Sequence, residues 1–258
     1  MPTAALGGIT LQYRSEGVGP PVVLVHGSVI AGGLSTLLSA ATLTKNNTLV
    51  SYDRRGYGGS THPTSGFTIQ DEATDCARLL RHLRYIRAHL VGHSYGGLIA
   101  LQLALDEPDV VQSLSLLEPA LLCVIPTGSQ FLKGLLPAVD MYRRGDRSGA
   151  LNFFMGPMGE LSGSMDSALR DIGTLFDVEY GEVERWRFTR EEAKRIKMPV
   201  LSVRGGASSY PSKQIDDVLR EWIPQTESVA VPGATHEIHS TNLNYLSEQL
   251  RRFFDAHR

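Results

Sequence analysis

Residues Leu90-Val91-Gly92-His93-Ser94-Tyr95-Gly96-Gly97-Leu98-Ile99-Ala100 read as an apolar strand entering G-x-S-x-G and leaving as a helix of small residues. That motif carries chemistry only when a buried strand precedes the serine and a helix follows it. Ala88 to Val91 supply the strand, and Gly97 to Leu105 supply a helix rich in Leu and Ala. The turn is so sharp that the residues two before and two after the serine nearly touch, so Gly92 and Gly96 carry no side chain. The serine takes a strained backbone conformation that pushes its hydroxyl clear of the chain. The helix begins at the serine, so its free N–H groups and positive dipole end face any oxyanion formed there. A glycine-rich turn with an incidental serine would use the same letters. Three further segments, in the right chain order, decide between the two readings.

The first is Val22-Val23-Leu24-Val25-His26-Gly27-Ser28. A run apolar at every residue predicts a strand buried on both faces. The loop after it offers the backbone N–H of Ser28 to an oxyanion, and the N–H of Tyr95 is the other donor. His26 is read as a side chain that orients this loop rather than as a base. The second is Ser51-Tyr52-Asp53-Arg54-Arg55-Gly56-Tyr57-Gly58-Gly59-Ser60, a tight surface loop whose Asp and Arg residues are expected to hold it as a structural ion pair, with anion binding as the alternative. The third is Val231-Pro232-Gly233-Ala234-Thr235-His236, which places a histidine in a glycine-containing loop late in the chain. His239, three residues on, either lines the pocket or faces solvent. His62, His82, His89 and His257 read as surface or loop positions, and His93 as the variable residue of the elbow.

These segments together resemble the α/β-hydrolase superfamily, in particular its compact serine esterases, lactonases and cofactor-free haloperoxidases, over essentially the whole chain. The resemblance implies a nucleophile, Ser94, a base, His236, and a carboxylate that orients the base. The chain departs from the commoner pattern at the acid. That acid usually follows the strand represented here by Pro199 to Arg204, but Gly205-Gly206-Ala207-Ser208-Ser209-Tyr210 holds no carboxylate. Asp216 and Asp217 fall inside the next predicted helix. Some relatives place the acid one strand earlier, and Leu116-Leu117-Glu118-Pro119 offers one there. Glu118 is therefore the expected acid; the alternative is an ordinary loop glutamate.

Strand patterns alternate with helical ones, which predicts an α/β fold: a mainly parallel central sheet with helices on both faces. The alternation stops between Glu118 and Pro199, where helical patterns occupy Gln130 to Arg144, Ser148 to Phe154 and Ser164 to Phe176. Residues 1–119 and 199–258 are expected to form the core, and residues 120–198 a helical cap over the elbow. Val29, Phe153, Phe154, Met155 and Met158 are candidate pocket residues, with the cap's own small core as the alternative role for the cap members.

A chain of 258 residues with 42% hydrophobic and 20% charged residues is long enough for one domain with a large core. A formal net charge of -2 gives no nucleic-acid signature, and Arg78, Arg81, Arg84 and Arg87 read as one solvated helix face. No basic segment leads into an apolar one at the N-terminus, and no run is long enough to span a membrane. A cytoplasmic monomer or homodimer acting on a small molecule is expected, with no metal and no organic cofactor. Cys76 and Cys123 are expected to be buried free thiols. The favoured activity is hydrolysis of a carboxylic ester or lactone through an acyl-enzyme. A carbon–carbon bond hydrolase, a cofactor-free perhydrolase or haloperoxidase, and a slow-turnover receptor of the same fold are the alternatives. Relatives that open epoxides or remove halide carry Asp where this chain has Ser94.

Overall fold

Runs such as Val22–Val25, Leu114–Leu117 and Val200–Val203 leave almost no polar side chain on either face of a strand. Strands of that kind are stable only when helices cover both sides of the sheet. The computed structural model describes residues 1–158, 161 and 163–258. Its strands are β1 (Thr3–Ala5), β2 (Thr10–Gly17), β3 (Pro21–Val25), β4 (Thr48–Tyr52), β5 (Ala88–His93), β6 (Val111–Leu117), β7 (Val200–Gly205) and β8 (Thr226–Val231). They form one eight-stranded sheet in the order β1-β2-β4-β3-β5-β6-β7-β8. The pairs from β4 to β8 are parallel, and β1 and β2 run antiparallel at one edge.

The helices are α1 (Ala41–Thr44), α2 (Ile69–His82), α3 (Tyr95–Asp106), α4 (Gly128–Gly134), α5 (Leu136–Arg143), α6 (Arg147–Met155), α7 (Met165–Gly173), α8 (Tyr180–Arg185), α9 (Arg190–Ala193), α10 (Ser212–Trp222), α11 (Ile238–Thr241) and α12 (Leu243–Ala256). A π-helical turn, Thr174–Glu179, joins α7 to α8. Leu98, Leu101 and Ile215 from α3 and α10 pack on one face of the sheet with Ile69 and Leu79 of α2. Leu34, Leu37 and Leu43 pack on the other with Leu246, Leu250 and Phe254 of α12. Helix α3 is apolar all round because it is buried nearly all round. Thr68 and Asp71 close a capping box at the start of α2. Among the described residues, every regular element between β6 and β7 is a helix or helical turn. Ala138, Leu151, Ala168, Ile172 and Leu175 from these helices form a small cluster with Val29.

Three expectations are corrected. His89 is buried, because β5 is an inner strand whose two faces are both covered. Its Nδ1 lies 2.7 Å from Ser113 Oγ, and its ring rests 4.7 Å from that of Phe254. The arginine run does not share one helix face: α2 ends at His82, Arg84 has φ 60°, and Arg87 donates to the Val111 carbonyl. Both thiols are free, but only Cys76 is buried; Cys123 is exposed.

Burial pushes the His89 imidazole down to about 4, helped by His257 and nearby arginines. The folded chain therefore holds His89 neutral while the unfolded chain binds a proton below about 6.5. The contribution of His89 is complete above that value and is lost as pH falls towards 4, at about 1.4 kcal/mol per pH unit. A His89→Gln variant keeps a partner for Ser113 without titrating. Urea unfolding at pH 6.5 and 4.5 should show it losing about 2–3 kcal/mol less than wild type over that interval; equal losses would discard this account.

Candidate active site

Ser94 sits between β5 and α3 with φ 51° and ψ -119°. Its N–H donates to Leu117 O at 3.0 Å, and its carbonyl accepts from Gly97 N at 3.0 Å and Ala120 N at 2.9 Å. These bonds over-determine a conformation that costs roughly 1–3 kcal/mol on its own. A Cβ on Gly92 would stand 2.6 Å from the Gly96 carbonyl oxygen, and one on Gly96 would collide with the Val25 carbonyl. The glycines are thus required by backbone contact. Of the four non-glycine residues with positive φ among the described residues, three, Val29, Ser94 and Glu118, lie at this site.

Parallel order brings the other pieces to the same end of the sheet. The loop after β3 lies on one side of the elbow and the end of β6 on the other. Glu118 immediately follows β6, and His236 lies in the loop after β8. Their side chains meet, with His236 Nδ1 2.7 Å from Glu118 Oε2, and both are buried. Strand β7 lies between β6 and β8, and its carboxylate-free loop does not stand idle. Gly205 N donates to Glu118 Oε1 at 2.6 Å, and Ser208 Oγ donates to Oε2 at 2.8 Å. The Tyr210 ring lies 4.5 Å from the His236 ring. Ser94 and His236 line one cavity with Ser28, and Ser28, Ser94 and Tyr95 line a second. Among the described residues, the N–H groups of Ser28 and Tyr95 have no backbone acceptor.

His26 Nε2 accepts the Arg54 N–H at 3.0 Å, so its Nδ1 carries the hydrogen and donates to Gly27 O at 2.7 Å. Burial, and then the Arg54 charge, pushes its pKa well down. It is a fixed neutral spacer between two loops, as read from the sequence. Arg54 is fully buried, 2.5 Å from both Glu72 and Glu179, and donates to Gly27 O at 3.0 Å. Burial raises the Glu72 carboxyl to about 7, with Arg54 opposing and Glu179 adding to the rise. Glu179 Oε2 also accepts the Tyr57 hydroxyl at 2.9 Å, and that hydroxyl accepts the Val29 N–H at 3.3 Å. A carboxylate from the helices between β6 and β7 is therefore tied to the loop that carries Ser28. Sequence reasoning missed Glu179, since Arg54 lies 125 residues away.

Of the candidate pocket residues, Val29, Phe154, Met155 and Met158 line the first cavity, and Phe154 and Met158 border the second as well. Phe153 does not reach either. It is 40% exposed and lines an outer groove with Thr127, Phe131 and Pro157. Neighbouring residues on a helix point about 100° apart, so Phe153 and Phe154 cannot both face inward. The sequence also undervalued His93 and His239, which both line the first cavity. His93 Nε2 lies 3.0 Å from the His236 carbonyl oxygen, and burial pushes its pKa well down, with His236 and His239 adding to the effect.

A family model described as "Alpha/beta hydrolase family" matches residues 22–255. This chain belongs to the alpha/beta hydrolase family. The hydrolase is 28% identical over 267 residues to a 2-(acetamidomethylene)succinate hydrolase of Mesorhizobium japonicum, covering 97% of this chain and 94% of that one. It is 36% identical over 132 residues to a fluoroacetate dehalogenase of Burkholderia sp, covering 49% of this chain and 41% of that one. A thermophilic esterase from Thermogutta terrifontis superposes on the hydrolase with a TM-score of 0.80 at 20% identity, covering 99% of this chain and 97% of that one. No helix among the described residues is long and apolar enough to cross a membrane.

Proposed function

We propose that this hydrolase cleaves a carboxylic ester or lactone of a small, largely apolar, non-anionic molecule through an acyl-enzyme. The observation that carries the reading is the buried Glu118–His236 pair at 2.7 Å, with His236 and the strained Ser94 facing one cavity. A serine hydroxyl needs a base to attack a carbonyl, and a histidine held at Nδ1 by a carboxylate presents Nε2 as that base. The N–H groups of Ser28 and Tyr95 stabilise the tetrahedral oxyanion, each worth typically about 10²–10³ in rate. His236 then protonates the leaving oxygen, and water completes the cycle. The relatives act on different bonds, so the substrate class is argued from the cavity. Removal of halide by relatives of this type uses an Asp nucleophile, and this chain has Ser94. A succinate is a dicarboxylate, and among the described residues lining the two cavities there is no Lys or Arg.

Residues 120–198 act in this reading as a cap that selects the substrate. Phe154 and Met158 border both cavities, and Leu132 and Leu135 border the second. Phe154→Ala and Met158→Ala should shift discrimination among acyl groups by about 1–3 kcal/mol per lost contact. Phe153→Ala should leave it unaltered. Specificity constants for acetate, butanoate and hexanoate esters measure this, and an unchanged profile in both inward variants would move the pocket elsewhere.

The test of the reaction itself is fluorophosphonate labelling followed by turnover of a panel of esters and lactones. Stoichiometric labelling with multiple turnover supports the reading. Fast labelling without turnover would assign a receptor instead.

A further inference from the structure

The two cavities that meet at Ser94 differ in kind. One is lined mostly by apolar side chains, Leu122, Leu132, Leu135, Phe131 and Val183, together with Tyr95, the second oxyanion donor, and with Glu179, whose carboxylate is paired with Arg54. The other sets His93, Glu237 and His239, together with His236, beside apolar Val29, Ile30 and Met155. The chemistry of acyl transfer assigns them. When the tetrahedral intermediate collapses, the carbonyl carbon–oxygen bond to the leaving group breaks and that oxygen takes the proton held on His236 Nε2. The leaving group must therefore lie in the arm that contains His236. The acyl chain lies in the apolar arm.

His239 is the unusual member of the leaving-group arm. It is 1% exposed, yet neither ring nitrogen has a hydrogen-bond partner among the described residues. Its carbonyl accepts from Thr36 Oγ1, which anchors the backbone and leaves the ring unassigned. A buried polar group without a partner costs about 1–3 kcal/mol, so such a group calls for an explanation. The Glu237 carboxylate stands 3.4 Å from His239 Nε2 without closing a hydrogen bond, and the His93 ring lies 5.0 Å away. Burial holds His239 below its usual range, against the pull of Glu237, so the ring offers one donor and one acceptor. With no Lys or Arg among the described residues lining this arm, Glu237 makes it unfavourable for an anionic group.

We propose that this arm is a subsite for a neutral alcohol leaving group bearing a further hydroxyl, and that His239 is the residue that recognises it. The assignment rests on the ester-hydrolase reading for its chemistry. A site built to hydrogen-bond a substrate hydroxyl rejects the analogue that lacks it, because its own polar groups are then left unpaired.

The experiment compares 2,3-dihydroxypropyl, propyl and carboxymethyl butanoate, which share one acyl group. Wild type should favour the dihydroxypropyl over the propyl ester by about tenfold or more in kcat/KM, with the anionic ester poorest. The preference should fall to about twofold or less in His239→Leu and be largely kept in His239→Gln, which retains a donor and an acceptor. The same series is read as binding by calorimetry in the Ser94→Ala background, where no turnover is needed. An equal ratio in wild type and His239→Leu would overturn the subsite, as would an anionic ester preferred over the propyl one. If wild type hydrolyses none of the esters, the ester-hydrolase reading fails. The calorimetric preference then decides the subsite by itself: its loss in His239→Leu supports the assignment, and its absence rejects it.

Discussion

Ser94→Ala is expected to abolish fluorophosphonate labelling and to lower ester turnover by roughly 10⁴–10⁶ while leaving the fold intact. The hydroxyl is the only atom removed. The backbone bonds of Ser94 to Leu117, Gly97 and Ala120 involve main-chain atoms and survive the change. Alanine keeps the Cβ that the positive φ already accommodates, so the strain is not increased. The residual rate would come from binding and from the two N–H donors of Ser28 and Tyr95, which act on an oxyanion whatever the nucleophile. Intact-mass analysis after labelling, with circular dichroism as the folding control, measures the result. A variant that still forms a stoichiometric acyl-enzyme would remove Ser94 from the mechanism.

Glu118→Gln should cost about 10⁴ in kcat, and the surroundings of the carboxylate give the reason in atoms. Gly205 N can only donate, and it reaches Glu118 Oε1 at 2.6 Å. A glutamine must therefore place its oxygen there and turn its NH₂ to the Oε2 position, which faces His236 Nδ1 at 2.7 Å. A donor at that place forces the imidazole hydrogen onto Nε2, the tautomer that cannot take a proton from Ser94. The loss is thus one of tautomer as well as of charge. Ser208 Oγ lies 2.8 Å from Glu118 Oε2, so Ser208→Asp puts a carboxylate within reach of the same ring. In the double variant Glu118→Gln with Ser208→Asp, kcat should recover by tenfold or more. Asp216→Asn and Asp217→Asn should stay within about threefold of wild type. Asp216 accepts from Ser228 and Asp217 pairs with Lys213, both away from His236. A Glu118→Gln enzyme within tenfold of wild type would reject the acid.

The elbow was legible because its requirements are local. The apolar run before Ser94, the glycines at 92 and 96 and the small-residue helix after it are short-range consequences of one sharp turn. Glu118 was legible by a different route. A carboxylate directly after the buried, leucine-rich end of a strand, Leu114 to Leu117, is out of place as an ordinary core residue, and the loop after β7 held no competing carboxylate. His89 was misread although it lies in the strand expected before the elbow: a histidine there is expected to turn outward, and only the place of β5 between β3 and β6 shows that both of its faces are covered. Phe153 was misread because a helix face can be assigned only once the helix is docked.

Sequence alone therefore determined the fold class, from strand and helix patterns alternating along the chain, and the elbow, from steric requirements within a few residues; through the resemblance it offered Glu118 and His236 as the partners of Ser94. The tertiary structure decided which side chains complete the site. Glu179 reaches Arg54 and Tyr57 from a distant helical turn, Ser208 and Gly205 clamp Glu118 across β7, and the His239 ring is buried beside His236 with no hydrogen-bond partner among the described residues. These contacts join residues far apart in the chain. They exist only when sheet order and helix docking bring their backbones together, and no local periodicity encodes that distance.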